Sequence, residues 1–192
     1  MRQNPARRTA LLDAAIEVLA RDGSRGLTLR AVDTQAAVPT GTASNYFTNR
    51  ADLLAQVMRR TRERLTPDPA ALADTMTAPP SRDLAVTLMR EIVERMRRDR
   101  SSHLALLELR LEATRRPELH AELTRFLAAD LAANIDFHVG AGLPGDRRAV
   151  VLLYLAMFGL IVEDLTVPGV LAPHRPDTLI EDLVTRLLPP TP

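Results

Sequence analysis

Cysteine, lysine and tryptophan are absent from this 192-residue chain, and aromatic residues make up only 3% of it. Without cysteine there is neither a disulfide framework nor a thiolate metal site, and a reducing cytoplasm is the expected home. Few aromatics and no run of alternating apolar and polar residues argue against strands. Leucine, alanine and arginine dominate instead, so an all-α fold is expected. Every basic residue is arginine, in keeping with a GC-rich coding sequence. The first residues, Met1-Arg2-Gln3-Asn4-Pro5, lack the apolar core of a signal peptide. The longest apolar stretch, 149–162, falls short of the roughly 20 residues that span a bilayer, so it reads as a buried helix and no membrane partner is expected.

Catalytic signatures are missing too. The four histidines, at 103, 120, 138 and 174, form neither a His-Glu-x-x-His pair nor the Glu-x-x-His spacing of carboxylate-bridged metals in helical bundles. There is no glycine-rich phosphate loop and no serine nucleophile elbow. The sequence therefore predicts no enzyme, no cofactor and no metal.

The composition that remains is ordinary for a globular protein, 46% apolar and 26% charged, with charge unevenly spread. Residues 1–64 hold 11 arginines against 6 acidic residues, and 65–192 hold 14 against 18, so a net charge of +1 divides into +5 and −4. Such a polarity steers one end of the molecule toward phosphates and keeps the other off them.

The basic end contains the most informative block, residues 28–47, TLRAVDTQAAVPTGTASNYF. Thr28 suits the N-cap of a short helix whose Leu29, Val32 and Ala36 share one face. Pro39 disfavours helical backbone at Val38 and suits the first turn of a second helix, so a sharp turn is expected there. From Thr40 to Asn45 nearly every side chain is small or polar, as expected of a second short helix brought close to a partner rich in hydrogen-bonding groups, such as the DNA major groove. Gly41 costs a helix about 1 kcal/mol against alanine, which suggests close backbone approach. Phe47 is expected to plug a small core, while the Tyr46 hydroxyl is in reach of a phosphate.

This pattern resembles the DNA-binding domain of the tetracycline-repressor (TetR) family of bacterial transcriptional regulators. The resemblance covers about Arg8 to Met58: Leu12-Asp13-Ala14-Ala15 in the first helix, Gly23 at its end, Leu27-Thr28-Leu29-Arg30 opening the second. Gly41-Thr42 falls in the third, Tyr46-Phe47 comes next, and Asp52-Leu53-Leu54 lies in the fourth. The commonest version of the motif has a basic residue after the turn and two bulky residues after Gly-Thr, where this chain has Thr40, Ala43 and Ser44. The stretch 108–119 resembles the effector domain of one subgroup.

The expected architecture is an N-terminal three-helix head, residues 1–64, with a linking helix at about 49–66 capped by Thr48. A C-terminal helical body for effector binding and dimerisation, 65–192, begins with a proline-rich boundary at 67–80. In the body, helices are expected at 81–96, 102–114, 117–139, 146–165 and 176–188.

DNA contacts are expected from Thr28, Arg30, Thr40, Gly41, Thr42, Ser44, Asn45, Tyr46, Asn49 and Arg50, with Asn45 able to form a bidentate pair with adenine and the arginines suited to phosphate. Ala149, Leu153, Ala156, Gly159, Leu160 and Ile161 on the apolar helix form the expected dimer interface; the resemblance implies that the last two helices build a dimer bundle. Met89, Met96, His103, Arg110, Asn134, His138, Tyr154 and Met157 are the candidate effector contacts, polar or adaptable groups among leucines. The functional expectation is a homodimeric repressor on a pseudo-palindromic operator, released by an unidentified small molecule. The alternative is a helical interaction or ligand-binding bundle that does not read DNA.

Overall fold

The computed structural model describes residues 4–189, so the extreme ends of the two expected domains, 1–3 and 190–192, lie outside the described residues. Among the described residues there are nine α-helices and no strand: α1 Pro5–Gly26, α2 Leu29–Gln35, α3 Arg50–Leu65, α4 Pro69–Thr75, α5 Arg82–Arg98, α6 Arg100–Ala113, α7 Pro117–Gly140, α8 Arg147–Thr166 and α9 Pro176–Leu187. Their starts obey capping chemistry. The side chains of Asn4, Thr28, Asn49, Asp68, Ser81, Asp99 and Asp146 accept from amides in the first turns of their helices.

The chain divides into two compact units, and the cut differs from the expected one. The first unit joins residues up to Thr66 with Asp99–Phe126, and the second joins Pro67–Arg98 with Leu127 onward. The proline-rich segment does mark a crossing. The sequence pattern does not show that α6 returns to the head, where it lies along α1 and α3. Small and apolar residues on one side of α6, Ala105, Leu109 and Ala113, are buried, which allows close helix approach. They join Leu11, Ala15, Ile16 and Leu19 of α1 and Leu53, Leu54 and Val57 of α3 among the buried apolar residues of this unit.

In the first unit Arg64 gathers three elements. It donates from Nε and Nη2 to the Asp99 carboxylate at 2.8 and 2.7 Å and reaches Asp13 and Glu17 of α1 at 3.4 and 3.5 Å. Burial works to raise the Asp99 carboxyl, but hydrogen bonds from Arg64 and Ser102 outweigh it and hold the group below the usual carboxylate range.

The second unit packs α5, α8 and α9 around Ala85, Val93, Leu153, Met157, Ile161, Ile180 and Val184. Polar pairs brace its surface: Arg97 with Asp164 at 2.8 Å, and Arg82 on the Leu188 carbonyl. The apolar run at 149–162 lies within a helix of 20 residues, and by length and composition α8 is long and apolar enough to cross a membrane. Only a third of its apolar window is buried within the protomer.

His103 on α6 is 5% exposed and neither ring nitrogen has a hydrogen-bond partner. Burial, with the charge of Arg110 adding to it, pushes its imidazole down to about 4. An unfolded chain binds this proton near pH 6.5 and the folded chain only near 4, so stability is full above 6.5 and is lost as pH falls through that window. The expected loss is of order 3 kcal/mol per chain. Thermal melts at about pH 7 and about pH 4.5, on either side of most of that window, check it. His103→Leu should flatten the dependence, and an equally steep dependence in the variant would contradict it.

Candidate nucleic-acid interface

The interface is built from α2, the turn after it and the start of α3. Thr28 Oγ accepts from the Ala31 amide at 3.1 Å and starts α2. Beyond Gln35 the helix stops through its own backbone: Ala37 takes a left-handed conformation, φ 52°, with its amide on the Thr34 carbonyl and the Val38 amide on the Asp33 carbonyl. This is a Schellman closure with alanine in place of glycine, and it ends the helix before Pro39 acts.

Asp33 organises the turn. Its side chain is buried, 2% exposed, and accepts from the Gly41 amide and the Ala43 amide, each at 2.7 Å. Gly41 sits at φ 92°, a conformation that disfavours any other residue and turns the chain back toward α2. Ala43 and Phe47 then fill the core beneath the turn. Sequence reasoning misses Asp33. Its signal is an acidic residue beside Val32 on the inner side of a helix, eight and ten residues before the amides it binds.

The expected third helix is only a single 3-10 turn, Ala43–Asn45. Side chains compete for its carbonyls: Thr42 Oγ donates to the Pro39 carbonyl at 2.6 Å, Ser44 Oγ to Gly41 at 2.7 Å, and Asn45 Nδ2 to Gly41 at 3.2 Å. Small polar residues that hydrogen-bond their own backbone favour tight turns over long helices. The consequence is a polar ridge on which Thr40, Gly41, Ser44 and Asn45 are exposed, while Thr42 and Tyr46 are half-buried.

At the start of α3 two expectations are revised. Asn49, not Thr48, is the cap, its Oδ1 accepting from the Asp52 amide at 2.9 Å. Asp52 reaches back to the Thr48 amide at 3.0 Å, and that bond, with the Gln56 side chain, holds its carboxylate below the usual range. Arg50 does not project outward as a phosphate clamp. Its guanidinium turns inward and donates to the carbonyls of Ser24 and Leu27 and to the Ser24 hydroxyl. Arg30 remains exposed, as does Thr28 apart from its capping oxygen.

The other candidate sets are placed differently from the expectation. Met89, Met96 and Met157 come together on the apolar core of the second unit, whereas His103 and Arg110 belong to the first. His138 is satisfied by the Pro144 carbonyl, 2.8 Å from Nε2, Asn134 is exposed and Tyr154 is half-buried. Leu153, Leu160 and Ile161 are taken up by their own protomer's core and Ala149 packs against it; only Gly159 is exposed, with Ala156 half-buried. The outward stripe of α8 runs instead through Leu152, Leu155 and Gly159.

A buried carboxylate fixing a tight turn, with a polar ridge above it on a basic unit, is the construction of a helix-turn-helix reader of duplex DNA. Residues 11–57 match the profile described as bacterial regulatory proteins, tetR family, and residues 80–190 match the tetracyclin repressor-like C-terminal domain. The chain belongs to the TetR family of DNA-binding transcriptional regulators. No curated protein shows significant sequence similarity to it. Among solved structures, the multidrug binding protein EbrR complexed with imidazole is 25% identical, with 98% of each chain covered and a TM-score of 0.67. EbrR complexed with ethidium is 26% identical over 95% of this chain and 99% of that one, TM-score 0.66. A TetR family member from Streptomyces coelicolor A3 is 26% identical over 96% and 99%, TM-score 0.67.

Proposed function

We propose that the protein is a homodimeric repressor that holds a two-fold operator and leaves it when a small molecule binds. The observation that carries the reading is the turn fastened by Asp33, which displays Thr40, Ser44 and Asn45 together on an exposed ridge. Thr40, Ser44 and Asn45 read base edges, Tyr46 and Arg30 take phosphate, and Asn49 supports the ridge as a helix cap. Arg50 is a fastening inside the head. Recovery of bound genomic fragments, and then gel shift, tests the reading. A footprinted two-fold site with strongly salt-dependent affinity is expected, and indifference to every duplex would end it. On such a site Asn45→Ala should weaken binding by about 1–3 kcal/mol and leave nonspecific binding unchanged; equal loss on both DNAs would place base reading elsewhere.

Dimerisation is read from α8. Leu152 is 46% and Leu155 57% exposed on a helix whose apolar window is one third buried, and a second copy would cover them. Two copies present two ridges, spaced about 34–36 Å apart on a pseudo-palindrome. The EbrR complexes with imidazole and ethidium support a small-molecule effector for this chain as well. Met89, Met96, Met157 and Tyr154 are the effector contacts proposed within the second unit. The effector acts by a coupling free energy: it favours a packing in which the paired ridges no longer match the operator.

A further inference from the structure

Ser24 is a buried serine at the end of α1, 7% exposed, and the reading of the DNA turn leaves it without a role. It comes directly after a break in the helix. Gly23 takes φ 67°, which frees the Ser24 amide to donate to the Glu108 carboxylate of α6 at 3.2 Å. The positive φ favours glycine at this turn, and a Cβ there would only touch the Glu108 carboxylate at 3.4 Å. One helical turn further along α6, Glu112 is held below the usual carboxylate range chiefly by Arg116, with the Ser24 hydroxyl adding to it.

The other side of Ser24 belongs to α3. Arg50 Nη2 donates to the Ser24 hydroxyl at 2.9 Å and to its carbonyl, and Nη1 donates to the Leu27 carbonyl at the entry to α2. Donors and acceptors agree around Ser24: the guanidinium gives to its hydroxyl and its carbonyl, and its amide gives to Glu108. Arg50 is the first residue of α3, directly after the Asn49 cap and four residues after Tyr46.

We propose that Ser24 is the relay through which α6 positions the DNA-reading turn, with Glu108 on one side of it and Arg50 on the other. The proposal rests on the reading that residues 40–46 contact DNA. Apolar packing of Ala105 and Leu109 holds α6 against the head in either case, but such packing tolerates small slides. Hydrogen bonds do not. A shift of α6 by about 1 Å carries the Ser24–Glu108 bond beyond its useful length, and Arg50 then loses the backing that fixes the first turn of α3 relative to α2. Ser24 and Glu108 are positioning residues, acting on DNA only through Arg50 and the turn.

Amide hydrogen exchange on the full-length protein without DNA tests the relay. In Glu108→Ala, amides at 43–50 should exchange about tenfold faster while those at 11–19 in the middle of α1 stay unchanged. Glu108→Gln, which keeps an acceptor oxygen, should return the turn to within about threefold of wild type. Unchanged exchange at 43–50, or acceleration spread equally over 11–19, would overturn the proposal, as would failure of glutamine to rescue. The same variants are then titrated with a recovered genomic fragment, and affinity should fall with the loosened turn. If the turn loosens but wild-type protein binds no duplex, the relay stands and the DNA reading falls. If wild type binds and the loosened variant binds equally well, the proposal fails.

Discussion

Asp33→Ala should lower operator affinity by about 100-fold or more, corresponding to about 2.7 kcal/mol or more, in a protein that still folds. The substitution removes both acceptors for the Gly41 and Ala43 amides, each held at 2.7 Å by a buried carboxylate. Hydrogen bonds to a carboxylate contribute roughly 1.5–3 kcal/mol each, and amides left buried without a partner add a penalty of their own. The turn escapes that penalty by opening toward water, because Thr40 to Asn45 are tied elsewhere mainly by side chains bonding their own backbone. Opening dissolves the ridge that the DNA reading requires. The cores around α1, α3 and α6 do not depend on Asp33, so circular dichroism should show almost unchanged helix content. Asp33→Asn provides the graded control: it keeps one acceptor and should retain part of the affinity. Gel-shift titration of both variants checks this, and wild-type affinity in Asp33→Ala would contradict it.

Leu155→Arg should convert the proposed dimer to monomers, with the mass by light scattering falling from twice to once the 21.2 kDa of the chain. Leu155 is 57% exposed in the protomer, so an arginine there can extend into water without disturbing the core, and the melting temperature of the separated chain should change little. Across a two-fold axis the same residue meets its own copy or its neighbours, and two buried arginines without counter-charges cost several kcal/mol. Operator binding should weaken as well, because each head then engages a half-site alone. Leu153→Arg distinguishes interface from core: Leu153 is 2% exposed and belongs to the protomer's own packing, so its variant should unfold the second unit. A Leu155→Arg protein that still scatters as two chains would place the interface away from this stripe.

Asp33 and Leu155 also mark the boundary of what is legible in the sequence. Helix periodicity and most caps are legible: Asn4, Thr28 and Ser81 start the helices their chemistry suggests, and the apolar face of α5 lies where Leu84 and Leu88 place it. The family resemblance, placed at about Arg8 to Met58, lies within a few residues of the matched stretch 11–57. Long-range polar contacts are not legible. Asp33 bonds amides eight and ten positions away, Arg50 turns back over 23 and 26 residues, and Glu108 meets Ser24 across 84. Nothing in a local window separates such an arginine from an exposed phosphate clamp, so Arg50 reads as one. The stripe proposed for dimerisation is hidden for a different reason. On a helix as apolar as α8, hydropathy has almost no direction, so Leu153 and Leu155 look alike until α5 and α9 cover one and leave the other bare.

The most direct measurement is a hydroxyl-radical footprint of the wild-type protein and Asn45→Ala on a recovered genomic fragment. The wild type should protect two segments related by a two-fold axis and separated by about one helical turn of 10–10.5 base pairs, and Asn45→Ala should lose that pattern at concentrations where nonspecific binding persists. Wild-type protein that leaves every recovered fragment uniformly cleaved, or an Asn45→Ala footprint indistinguishable from the wild type, would contradict the claim that the turn held by Asp33 reads DNA.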